Sequence, residues 1–182
     1  MPVWAWPLGA KRESAADPSI SGVGNAQLWV TESLRSNVHD QPARAEALAA
    51  YHALVNLQPG LTGSAELVVG EEHTAPRVGS GAIHVLATPV MINLIEAAAL
   101  AAVEHLLPAG QQSLGTLLHV RHIAATPVGM RVSATATVQK VEGRTVYFTV
   151  EACDERELIG DGTHERVVVN VEKFDQRVKR KL

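Results

Sequence analysis

Glu96 stands among Leu94, Ile95, Ala97, Ala98, Ala99 and Leu100, inside the longest apolar run of the chain, Val85 to Leu107. An unpaired buried carboxylate is costly, so a group in that setting finds a partner, shifts its pKa or faces a functional cavity. The bland alternative is an exposed stripe shared with Glu104, which lies eight residues on and hence about 80° round a helix. His122 is the second candidate. On an extended strand Thr116, Leu118, Val120 and His122 share one face and Leu117, His119 and Arg121 the other, which puts His122 in the more apolar, inward set. A lone inward histidine is more often a satisfied core residue than a catalyst, but a carboxylate on a facing helix would give it an acid–base partner. Thr88 is a candidate N-cap with Pro89 at the first helical position. Its hydroxyl could instead hold a water, a carbonyl oxygen or an acyl group. It lies about 12 Å along the helix axis from Glu96 and about 80° round it, so the two would meet only through a substrate or water. Helix N-termini also bind oxyanions, which suits a reacting carbonyl near Thr88.

The remaining titratable residues narrow the chemistry. His119 and His122 are three apart on a strand, so they point to opposite faces and cannot share an ion. No His, Cys and carboxylate spacing matches a zinc site, and no metal or resident cofactor is expected. The single cysteine, Cys153, excludes an internal disulfide framework, fits a reducing cytoplasm and reads as core packing in an alternating apolar stretch. A net charge of -3 with both signs spread along the chain carries no footprint for nucleic acid or an anionic membrane. Only the tail Lys173 to Lys181 is locally basic; it reads as a solvated terminal face, or else as a contact for an anionic group such as a nucleotide phosphate. Met1 to Gly9 lacks a basic n-region and an apolar h-region, so a secretory signal is not expected. Val85 to Leu107 is long enough to span a bilayer but carries Asn93, Glu96 and Glu104, and it reads as a buried helix instead. The expected setting is the cytoplasm, without nucleic acid or membrane.

Those residues need elements to hold them. A chain of 182 residues is of one-domain size. Residues 1–58 hold all three tryptophans among Gly, Ser, Pro and Asn, without steady periodicity, and read as a loosely ordered extension with one helix over about 43–57. A domain over 59–178 follows. Pro59, Gly60 and Gly63 precede a short strand, Ser64 to Val69; a polar loop, Gly70 to Gly81, leads to the long helix, which Pro108 and Gly110 end. The period then changes to two. Val132, Ala134, Ala136 and Val138 alternate with polar residues, as do Val146, Phe148, Val150 and Ala152, with Glu142-Gly143 turning between them. Leu114 to Ile123 and Leu158 to Val171 complete the set. A strand, a helix apolar almost all round and four antiparallel strands pack economically as an α+β hot-dog arrangement, a curved five-stranded sheet wrapped round the helix. Its exposed edges predict a homodimer or higher homo-oligomer.

The chain also resembles the hot-dog thioesterases of the fluoroacetyl-CoA thioesterase family, over about residues 60 to 178. The stretches that carry the resemblance are Ala87-Thr88 with Glu96, Ser113-Leu114-Gly115-Thr116 continuing to His122 and Ala124-Ala125-Thr126-Pro127, Val141-Glu142-Gly143-Arg144, and Gly162-Thr163-His164-Glu165-Arg166 with Glu172-Lys173-Phe174. The resemblance implies an acyl-CoA substrate and a catalytic set of Thr88, Glu96 and His122. Glu96 would be base or carboxylate nucleophile, His122 would handle the proton to the leaving thiolate, and Thr88 would orient the attacking group. It also implies that Gly115 lies near the reacting carbonyl and that Arg166 contacts the substrate, unless Arg166 only makes a salt bridge on the last strand. The sequence departs from the family's namesake between Thr74 and Leu86, which is short and lacks a phenylalanine to act as an aromatic lid. Other short or medium acyl groups are therefore expected as substrates. A non-catalytic acyl-CoA binding or assembly module is the main rival, and a hot-dog dehydratase a weaker one, since no Asp and His stand at that group's spacing.

Overall fold

The computed structural model describes residues 57–182. The extension read over 1–58, with its helix over 43–57, falls almost wholly outside the described residues. The order is β1 (Thr62–Val68), a 3-10 turn (Glu71–His73), a one-turn α1 (Ala75–Val78), α2 (Thr88–Val103), a second 3-10 turn (Glu104–Leu106), β2 (Gln111–His122), β3 (Arg131–Glu142), β4 (Thr145–Asp154), β5 (Leu158–Asn170) and α3 (Val171–Lys179).

The five strands form one antiparallel sheet in the order β1-β3-β4-β5-β2. Alternation decides which face turns inward: Val132, Ala134, Ala136 and Val138 of β3 and Val146, Phe148, Val150 and Ala152 of β4 are all buried, while their neighbours face outward. Cys153 follows that rule onto the opposite face and is half-buried with a free thiol, so it is not the core residue expected from the sequence.

Against the inner face lies α2, packed chiefly on β1 and β3 and reaching β4 and β2. Met91, Leu94, Ile95, Ala98, Ala99, Ala102 and Val103 are its buried residues; Asn93, Ala97 and Ala101 form a narrow exposed strip. By length and hydropathy Thr88–Leu106 could cross a membrane, but the sheet already covers its broad apolar side. Gly63 allows β1 to approach closely, because a Cβ there would collide with Ala98 O and Ala102 N of the helix backbone.

Two segments differ from the sequence reading. The loop after β1 contains the first 3-10 turn and α1, and the basic tail is helical, with Asn170 Oδ1 accepting from Lys173 N at 3.0 Å as its N-cap. That cap sits where alternation stops, so a period-two pattern ending at Val171 conceals it.

Candidate active site

Thr88 opens α2, but its hydroxyl does not cap the helix. Ala87 occupies the extended position before the first turn, and Pro89 is the second helical residue rather than the first. Thr88 Oγ1 lies instead 2.8 Å from His122 Nδ1, at the far end of β2. The His122 ring is half-buried, and its Nε2 is enclosed without a hydrogen-bond partner among the described residues. Burial pushes its pKa below the ordinary 6.5, against a smaller opposing effect of the Ala124 backbone, so the ring is neutral near pH 7 and able to take up a proton. The pair borders an open cleft of about 400 Å³ whose walls include Ala75, Ile83, Leu86 and Ile123.

Glu96 lies elsewhere, two turns along α2. Its side chain is 34% exposed, so it is not the fully enclosed carboxylate expected from its apolar neighbours. Those neighbours bury their own faces while Glu96 leans toward β2. There a glycine makes room: a Cβ on Gly115 would collide with Glu96 Oε1 and stand 3.2 Å from His164 Cε1. The partner a buried charge requires is Arg166, whose Nη1 is 3.5 Å from Glu96 Oε1. The guanidinium is itself buried and bonds Ser113 through Nε and Nη2.

A bulge in β2 explains how both sites lie on one strand. Gly115 pairs with Arg166 and Leu117 with Glu165, leaving Thr116 as the extra residue. Inward facing therefore passes from Ser113 and Gly115 before the bulge to Leu118, Val120 and His122 after it. Thr116, expected inward beside His122, is exposed and its hydroxyl donates to Glu165 O. His119 is exposed while His122 faces inward, as alternation requires. Among the described residues no group of three His, Cys, Asp or Glu could hold a metal.

The structure thus joins Thr88 to His122, and Glu96 to Gly115 and Arg166, but does not join the two sets within one chain. Gly115 and His122 are separated by roughly 20 Å of strand, and Glu96 does not border the cleft at Thr88. Three residues linked to Arg166 had been given no role in the site from the sequence: Ser113, Glu104 and His164. A signal was present for His164, since His164, Arg166 and the buried Val168 alternate on one face of β5, but polar residues within a strand pattern read first as its wet side.

Comparison with known proteins identifies the family of the fold. Residues 69–172 match the family model described as fluoroacetyl-CoA-specific thioesterase. The chain belongs to that family. A fluoroacetyl-CoA thioesterase from Streptantibioticus cattleyicolor is 45% identical over 97 residues, 53% of this chain and 70% of the relative. A solved structure of the fluoroacetyl-CoA-specific thioesterase superposes with a TM-score of 0.67 at 36% identity, covering 70% of this chain and 98% of the other. A Thermus thermophilus protein described as a thioesterase superfamily member gives 0.64 at 32% identity, over 68% and 91%. Fold and family agree: the chain is a hot-dog thioester hydrolase acting on acyl-CoA.

Proposed function

We propose that the chain hydrolyses short or medium acyl-CoA thioesters at a site built from Thr88, His122 and Glu96, completed across a homodimer. The hydrogen bond between Thr88 Oγ1 and His122 Nδ1, 2.8 Å long and opening on the cleft, carries the reading. A neutral His122 beside a hydroxyl can move a proton, and the cleft volume falls within the range of small-molecule sites. Its mouth carries Ile83 and Ile123, 73% and 50% exposed, and the segment from Thr74 to Leu86 holds no phenylalanine. An aliphatic mouth accepts straight acyl chains, which supports a substrate range wider than fluoroacetyl.

Among the described residues β2 is an edge strand of the sheet, with Leu117 46% exposed upon it. A second copy pairing antiparallel about a two-fold axis midway between Gly115 and His122 would set Gly115 and Glu96 of one chain opposite the partner's His122. Pairing would also cover the edge. Glu96 then takes a proton from water attacking the thioester carbonyl, or attacks it directly to form an anhydride that water opens. In either route the proton that water gives up passes through the neutral His122 to the departing CoA sulfur, and Gly115 leaves space for the carbonyl. In either route one water and one thioester give one carboxylic acid and one thiol. The route needs only side chains and water, without a metal or cofactor, so EDTA is expected to leave the rate unchanged. Cys153, a free thiol, suits the reducing cytoplasm where we place the reaction, away from membrane and nucleic acid.

The test is free-thiol release from acetyl-CoA through octanoyl-CoA by the wild type, Thr88→Ala and Glu96→Gln, with folding followed by circular dichroism. Release lost in folded Glu96→Gln supports the mechanism. No release by the wild type from any of these thioesters would refute it in favour of a binding module.

A further inference from the structure

Arg166 and Glu96 form an ion pair of unequal exposure: 5% for the arginine side chain, 34% for the glutamate. The carboxylate is the more open of the two. Each nitrogen of the guanidinium has a polar partner. Nε and Nη2 donate to Ser113 Oγ and Ser113 O, each at 2.9 Å. The Ser113 hydroxyl donates in turn to Glu104 Oε2 at 2.7 Å, and Ser113 N donates to Glu104 Oε1 at 3.1 Å. Nη1 lies 3.3 Å from His164 Nε2. A guanidinium has no acceptor, so His164 Nε2 must accept, which places the ring proton on Nδ1, 2.8 Å from the Leu117 carbonyl it donates to. His164 is fully buried and stacked on Phe148 with ring centroids 5.9 Å apart.

We infer that Glu104, Ser113 and His164 are positioning residues that hold Arg166 in one rotamer, so that its Nη1 edge fixes the Glu96 carboxylate over Gly115. This rests on the reading that Glu96 acts in thioester hydrolysis. The physical case is that a buried ion pair is a poor device for stability, since apolar residues of similar volume commonly do as well. It is a good device for direction: Nη1 lies between the accessible Glu96 and His164 of β5, while Nε and Nη2 are tied to Ser113 of β2 and through it to Glu104 in the 3-10 turn after α2. The charges around the pair agree. Glu96 and Glu104 sustain the cation against the burial that lowers its pKa, while burial keeps His164 neutral and able to accept. Catalytic geometry is unforgiving, because a group displaced by about 1 Å can lose on the order of a hundredfold in rate.

Ser113→Ala removes the hydroxyl link and Glu104→Ala its far anchor, which is half-buried at the end of the helix. Both are compared with the wild type on whichever acyl-CoA, from acetyl to octanoyl, the wild type cleaves fastest. In folded variants kcat is expected to fall about tenfold to a hundredfold, with KM within about twofold because the substrate contacts remain. Wild-type kcat in either folded variant, or a loss carried by KM, overturns the inference. If Ser113→Ala does not fold, Glu104→Ala decides on the same split. Absence of thiol release by the wild type would instead count against the proposed function itself.

Discussion

At the residue scale the decisive feature is that Glu96 keeps its place because Gly115 has no side chain. Gly115→Ala is expected to displace the carboxylate and lower kcat on the order of a hundredfold, with the circular dichroism spectrum unchanged; wild-type turnover would show that Glu96 does not act from this position. His164 has a different consequence. Its pKa lies below the ordinary 6.5, chiefly through burial and also through Arg166, against the Leu117 carbonyl, Glu96 and Glu165. As pH falls, the unfolded chain therefore binds a proton before the folded one does. Stability is complete above about pH 6.5 and declines below it, with His122 acting in the same sense. The lowered carboxyls, Asp154 and Asp161 from an ordinary 3.8 and Glu142 from 4.5, act in a more acidic range. The urea midpoint should fall between about pH 7 and about pH 5, and less so in His164→Asn. Equal slopes in the two proteins would remove His164 from the account.

At the element scale, α2 and β2 each carry a residue of both pairs, Thr88 with His122 and Glu96 with Gly115, and the pairs stay apart because eight residues of helix and seven of strand separate them. The Thr116 bulge turns Gly115 toward Glu96 while leaving His122 inward; a regular β2 would face one of them outward. An edge strand with Leu117 exposed is where a second copy would bring the halves together. Leu117→Lys should yield a monomer in light scattering and lose thiol release together with assembly. A monomeric variant with full activity would show that one chain suffices. Gly63, where β1 approaches α2, tests the frame rather than the chemistry: Gly63→Ala should cost about 1–3 kcal/mol of stability by pushing strand and helix apart, measured by urea unfolding.

At the scale of the whole molecule, the family match spans residues 69–172, and the sheet, helix and site all lie within the described residues. We expect a chain begun at Leu57 to keep both fold and thiol release, which circular dichroism and the acyl-CoA assay would check; loss of either would give the preceding residues a part in the domain. The two core strands of the sheet were legible directly, since every inward residue read from the alternation of β3 and β4 is buried. So was the long helix, and Thr88, Glu96 and His122 could be picked out as candidates because a hydroxyl, carboxylate or imidazole within an apolar pattern stands out against it; the sequence did not show which of them meet. The bulge at Thr116, the use of Thr88's hydroxyl on His122 rather than as a cap, and the chain from Glu104 through Ser113 to Arg166 and Glu96 could not be read in the same way. Periodicity is a local property, set by residues a few positions apart, and the sequence alone determined whatever depends on it: the elements, their inward faces and the class of fold. Hydrogen bonds between residues 34 or 53 positions apart depend on how the sheet closes round the helix, so only the tertiary structure decided which polar groups meet.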